Sequence, residues 1–281
     1  MLPRNVALLP LLAGLAACGH AAAPAVSPAP SPALLAVTSS PSAPPAVLAA
    51  VNAADRSADD RALDPGRKPD LTLAFFGIEP GMKVAEIGAG LGYTSELLAR
   101  VVGPTGKVYA QNSPMILEKF ANGPWTERLK KPALGNVVRA DREFDDPLPP
   151  EATGLDVVLD ILFYHDTVWL GVDREKMNRA VFAALKPGGV YGIVDHSAAP
   201  GAGLSAVKTM HRIEEKVLRQ EIEQAGFQFV AEASFLRNAS DTLDWNDSPR
   251  EAGDRRGTSD RFVLEFKKPL SSLDPPARPL K

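Results

Sequence analysis

The sequence predicts an α/β domain: a doubly wound, seven-stranded, mostly parallel sheet with helices on both faces and one antiparallel strand. Three observations predict it. Short apolar runs alternate with amphipathic segments five times along the chain. The most apolar run, 155–161, reads as a strand buried on both faces, as at the centre of a parallel sheet. Two final runs, 227–235 and 261–266, close the chain as a hairpin, which places one antiparallel strand in the sheet.

The elements follow in order. Residues 1–17 read as a signal peptide, with Arg4 ahead of an apolar run that is too short to span a bilayer. Residues 18–50 are nearly all Ala, Pro and Ser and read as a tether, because proline disfavours helix and little there can form a core. The folded domain is expected over 51–268, with a flexible tail over 269–281. Residues 55–69 are rich in charge and read as a solvated face, or as a segment over a ligand mouth; a short helix follows over 70–76.

The first strand ends Val84-Ala85-Glu86-Ile87, and Gly88-Ala89-Gly90-Leu91-Gly92 turns it into a helix over 93–102. Glycines at such a turn permit positive φ and let a ligand approach the backbone, and the opening helix adds free N–H donors. A second strand covers 107–111. Ser113-Pro114 caps a helix through Ala121, and Gly123-Pro124 and Lys131-Pro132 break up 122–135. A third strand, 136–140, ends at Asp141. A helix from Asp173 carries Met177, Val181 and Ala184 on one face, and Lys186-Pro187-Gly188-Gly189 leads into a strand over 190–194. A last helix places Leu218, Ile222 and Ala225 inward.

The composition suits one globular domain: 281 residues, 45% hydrophobic, formal charge −3. No Lys/Arg cluster is interleaved with aromatic residues, so nucleic acid is not expected as a partner.

The spacing Gly-x-Gly-x-Gly departs from both the phosphate-binding loop and the dinucleotide fingerprint, and a simple packing turn is a third reading. Glu86-Ile87-Gly88-Ala89-Gly90-Leu91-Gly92 resembles the first motif of class I S-adenosylmethionine-dependent methyltransferases. Ala184-Leu185-Lys186-Pro187-Gly188-Gly189 and Gln224-Ala225-Gly226-Phe227 resemble later motifs of that family. Tyr164-His165-Asp166, Asp195-His196-Ser197-Ala198, His211-Arg212-Ile213 and the stretch 259–269 are similar to an uncharacterised group of bacterial methyltransferases within it. The resemblance implies a Rossmann-like methyltransferase fold and S-adenosylmethionine as cofactor. Glu86 would orient the methionine end, Gly88, Gly90 and Gly92 would line it, and Asp141 would take the adenine amino group. Asp160, ending the fourth strand, joins this cofactor-binding set. The family usually ends its second strand with an acid for the ribose hydroxyls; here Asn112, a weaker neutral acceptor, holds that place beside Gln111.

Methyl transfer demands alignment first, and a base only where the acceptor loses a proton. The candidates are His165, His196, Asp195 and Tyr164, with His211 and Arg212 close by in sequence; each histidine could equally be a structural one. No metal is expected, since Asp160, Asp166, Asp195 and His196 have no tight ligand spacing.

Leu15-Ala16-Ala17-Cys18-Gly19 resembles the lipobox of bacterial lipoproteins, with Cys18 as the lipidated residue and the only cysteine of the chain. That resemblance implies a lipid-membrane partner and a cell-envelope location facing the periplasm; an ordinary secretory signal is the alternative. The expected function is methyl transfer from S-adenosylmethionine to a small molecule or an envelope component. The alternatives are a non-catalytic envelope binding module built on the same fold, or an enzyme whose signal is unused.

Overall fold

The structure, a computed structural model, describes residues 43–270. The expected signal peptide, the Cys18 lipidation site, most of the tether and the tail from residue 271 lie outside the described residues. Three helices, α1 (Pro45–Val51), α2 (Ala58–Arg67) and α3 (Pro69–Phe75), precede the first strand, β1 (Lys83–Ile87). There follow α4 (Tyr93–Val102), β2 (Lys107–Asn112), α5 (Pro114–Ile116), a π-helical turn (Leu117–Ala121) and α6 (Asn122–Arg128). The chain continues through β3 (Val137–Asp141), β4 (Leu155–Ile161), α7 (Tyr164–Trp169), α8 (Arg174–Ala184) and β5 (Leu185–His196). It ends with α9 (Val207–Met210), α10 (Glu215–Gln224), β6 (Gln228–Ala233) and β7 (Arg261–Lys267). Among the described residues no helix is long and apolar enough to cross a membrane.

The strands form one seven-stranded sheet in the order β3-β2-β1-β4-β5-β7-β6. β1 to β5 pair in parallel, and β7 runs antiparallel to both β5 and β6. The predicted doubly wound sheet is therefore present, with its reversal of strand order between β1 and β4. Alternation along β4 feeds two cores: Val158 packs with Met177, Val181, Leu218 and Ile222, and Val157 and Leu159 pack with Leu73, Leu97 and Leu98.

Three expectations need correction. The folded part begins before residue 51: Pro45 sits in the first turn of α1, where its missing N–H costs nothing, and Val47 and Ala50 are buried in the core that α4 faces. The charged stretch 55–69 is a docked helix rather than a solvated face. Arg56 forms a bidentate pair with Asp64 at 2.7 Å, and Arg128 joins Asp60 of α2 at 2.6 Å to Glu96 of α4 at 2.7 Å. Finally, Gly123-Pro124 does not break the helix that begins at Pro114. The π turn ahead of it widens the helix so that Asn122 bonds Leu117, and Pro124 then sits in the first turn of α6.

Candidate functional site

The glycine turn connects β1 to α4 at the switch point of the sheet. Gly88, Gly90 and Gly92 have φ of 69°, 57° and 84°, a region that side-chain-bearing residues rarely adopt. The turn is laced to the end of β2. Gly88 N–H donates to Gln111 Oε1 at 3.0 Å, Ala89 N–H to the Gln111 carbonyl at 2.8 Å and Gly90 N–H to Asn112 Oδ1 at 2.8 Å. Asn112 Nδ2 returns a bond to the Gly90 carbonyl at 3.1 Å, so this amide serves the turn through both its polar ends. A Cβ on Gly88 would lie 2.3 Å from the Phe163 ring, and one on Gly92 would lie 2.1 Å from the Trp125 ring. A Cβ on Gly90 would meet only the Gly88 carbonyl, at 4.0 Å, with the exposed Leu91 beside it.

Glu86 is buried at the tip of β1, where its carboxylate accepts from the Ser95 hydroxyl of α4. Burial pushes its carboxyl up to about 7, against the Ser95 and Thr94 hydroxyls that favour the anion. The α2–α3 segment closes over this side of the sheet. It leaves a cavity of about 20 Å³ lined by Arg67, Tyr93, Thr94, Leu162 and Arg261, enough for about one water. Arg67 stacks on the Tyr93 ring at 4.5 Å, and the Tyr93 hydroxyl donates to Asp64 at 2.6 Å.

Polar groups also gather at the ends of β4 and β5. Asp195 accepts from the backbone N–H of His165 and of His196, both at 2.8 Å, and lies 2.6 Å from His165 Nδ1. Burial alone would push His165 down, but the carboxylates of Asp195 and Asp166 outweigh it and hold the ring up at about 9. Burial pushes His196 down to about 4 and His211 down to about 3. His196 Nδ1 lies against Asp247 and is 2.9 Å from Ser259 Oγ. The ring of His165 is 4.1 Å from that of His211 and 5.4 Å from that of His196. Asp160 is fully buried nearby with both carboxyl oxygens unpartnered, and burial beside Asp195 raises it well above the usual carboxylate range.

The predicted residues thus divide into two groups and two outliers. Glu86, the three glycines and Asn112 form the turn; Asp160, His165, Asp195 and His196 form the polar cluster. Tyr164 stands apart from both, because its hydroxyl bonds Glu221 at 2.9 Å and Asn178 at 2.8 Å inside the helical layer. Asp141 lies at the exposed tip of the edge strand β3, paired to Arg139 at 2.7 Å. His211 and Ser259, from the 211–213 and 259–269 stretches singled out above, join the cluster, and so does Asp247, which has no local sequence signal, since only folding brings its segment beside β5. The segment is placed there by Ile213 N–H bonding the His196 carbonyl and by Asp247 N–H bonding the Met210 carbonyl.

Comparison with known proteins gives a local sequence match and a wide structural one. The family model for protein-L-isoaspartate(D-aspartate) O-methyltransferase matches residues 70–131, from α3 through the glycine turn to the end of α6. A protein-L-isoaspartate O-methyltransferase of Aeropyrum pernix is 43% identical over 60 residues, which cover 21% of this chain and 22% of that protein. Its counterpart in Methanothermobacter thermautotrophicus is 53% identical over 32 residues, covering 11% and 15%. The chain therefore spans about a fifth or less of the length of these curated relatives. Among solved structures, a SAM-dependent methyltransferase from Aquifex aeolicus superposes with a TM-score of 0.51 at 20% identity, covering 74% of this chain and 96% of that one. The [4+2]-cyclase SpnF superposes with a TM-score of 0.52 at 15% identity, covering 79% and 85%. With the strand order above, the fold is that of the class I S-adenosylmethionine-dependent methyltransferases.

Proposed function

We propose that this chain binds S-adenosylmethionine at the carboxyl ends of β1 and β4 and catalyses methyl transfer to a small molecule or an envelope component. One observation carries the reading: three left-handed glycines between an acid-tipped buried strand and a helix N-terminus, at the switch point of a parallel sheet. The residues fit such a ligand in two respects. Gly90 leaves backbone open to close approach, and Asp160 is a buried carboxyl short of a donor that an ammonium group can supply.

Glu86 and Asp160 would hold the methionine end, and Gly88, Gly90 and Gly92 would let it lie against the backbone. Asn112 would act by fixing the shape of the turn, since its amide is already shared with Gly90. Asp141 would bind an adenine amino group on exchanging Arg139 for it. When bound, the cofactor supplies an electrophilic methyl group on a sulfonium. The chain's own part is alignment, with Asp195 orienting His165 and Asp247 and Ser259 orienting His196; of the two imidazoles His196, which burial keeps neutral, is the one that can receive a proton from the acceptor. The local match to isoaspartate methyltransferases supports the cofactor side of the sheet and stops short of β4 and β5, so it does not extend to the acceptor.

Calorimetry on the full-length protein with S-adenosylmethionine and S-adenosylhomocysteine tests this. One equivalent should bind, and Glu86→Ala should weaken binding by about tenfold or more, as for loss of a charged hydrogen bond. Absence of heat at millimolar ligand overturns the reading. We propose also that Cys18 is lipidated and anchors the domain in the bacterial envelope, facing the periplasm. Radiolabelled palmitate should then enter the wild-type protein and not Cys18→Ala, and label retained by that variant overturns the anchor.

A further inference from the structure

Three of the chain's four histidines converge on the ends of β4 and β5. Their rings do not simply pair with carboxylates. His165 Nε2 is completely buried, has no hydrogen-bond partner and points toward Asp166 Oδ1 at 3.4 Å; His211 Nδ1 is 3.5 Å from the same oxygen. Both separations are too long for good hydrogen bonds, which cluster at about 2.7–3.2 Å. They do match the edge of a ligand tetrahedron. Bonds of about 2.0–2.1 Å from a zinc ion to imidazole nitrogen and carboxylate oxygen put neighbouring donor atoms roughly 3.4 Å apart, whereas octahedral neighbours would lie at roughly 2.9 Å. One donor atom from each of His165, Asp166 and His211 lies within 4.8 Å of the others.

We propose that His165, Asp166 and His211 form a binding site for a divalent transition metal, with zinc as the ion the spacing favours. Two imidazoles and one carboxylate suit such an ion, and the separations of 3.4 and 3.5 Å fit a tetrahedral ion such as zinc better than the octahedral, oxygen-bound cations.

The surroundings have the form that metal centres use. His165 Nδ1 is 2.6 Å from Asp195, the carboxylate–histidine arrangement that fixes the ring and turns Nε2 toward the ion. Asp166 Oδ1 accepts the Trp169 indole N–H at 2.6 Å, so the ligating carboxylate is oriented as well. His211 is held in the left-handed region, φ 58°, at the end of α9, which aims its ring back over α7. His165 is closed to solvent, while the side chains of Asp166 and His211 are 16% and 19% exposed. Solvent or a substrate heteroatom can therefore take the fourth tetrahedral position. The site does not depend on methyl transfer. It would equally serve a protein that only binds ligands on this sheet, so its test is metal affinity.

The full-length protein, stripped with a chelator, is titrated with zinc against a chromophoric competitor and then with cobalt. One equivalent of zinc should bind, and cobalt should give the intense visible bands of tetrahedral coordination. His211→Gln and Asp166→Asn should each weaken zinc binding by about 100-fold or more, beyond the 10–100-fold cost of losing only an orienting partner. His211 is partly exposed and lies on a loop, so its variant keeps the fold and remains decisive if Asp166→Asn does not. Lack of stoichiometric zinc in the wild type overturns the site. So does unchanged affinity in a folded His211→Gln, or binding that survives His211→Gln and is lost in His196→Gln.

Discussion

Asn112 and Gly90 bond each other in both directions: the Gly90 N–H donates to the side-chain oxygen at 2.8 Å, and the side-chain NH₂ donates to the Gly90 carbonyl at 3.1 Å. Only an amide can do this from position 112. Asn112→Asp keeps an acceptor but sets a buried carboxylate against the Gly90 carbonyl. That variant should lose about 1–3 kcal/mol of stability, read as a lower urea midpoint.

The three glycines should differ in tolerance. Ala at Gly88 or Gly92 would add a left-handed penalty of about 1–2 kcal/mol to a clash with Phe163 or Trp125, with overpacking of about 1–3 kcal/mol. Ala at Gly90 should incur only the first. Thermal melts of the three variants should separate Gly90→Ala from the other two by several degrees.

Glu86 gives the domain a pH dependence of definite sign. Its carboxyl is raised by burial from 4.5 to about 7, so the folded chain binds that proton more tightly than the unfolded chain does. Its contribution is complete below about 4.5 and is lost as pH rises through about 7, by at most on the order of 3 kcal/mol. Urea unfolding of the wild type and of Glu86→Gln across this window isolates the contribution: the stability of the wild type relative to the variant should fall as pH rises.

Helix α1 belongs to the folded domain and not to the tether. Val47 is fully buried in the core that α4 faces. Deleting residues 43–51 should therefore remove about 2–3 kcal/mol, the burial of one large aliphatic side chain and a small one. Unchanged unfolding in the deletion variant would show that α1 contributes nothing.

Most of the architecture is legible in the sequence because period and punctuation agree there. β4 matches the predicted 155–161 run, and α4 begins and ends where Gly92 and Gly103 stand. The parts that are not legible depend on tertiary partners. The charges of α2 look solvated until Arg128, far along the chain, is seen to neutralise Asp60. Tyr164 shares a motif with His165 but sits one residue round a helix, which turns its hydroxyl into the core. Asp247 has no spacing signal because the loop between β6 and β7, held by its N–H bond to the Met210 carbonyl, carries it to His196.

The π turn at Leu117–Ala121 has a consequence for how the region can change. Each residue added to a helix rotates everything after it by roughly 100°. Trp125 covers Gly92 because the wide turn sets the phase of α6. Deleting one residue from 117–121 would leave every side chain of α6 intact and still swing the indole off the glycine. The spacing between Pro114 and Trp125 is thus as much a determinant of this turn as any residue within it.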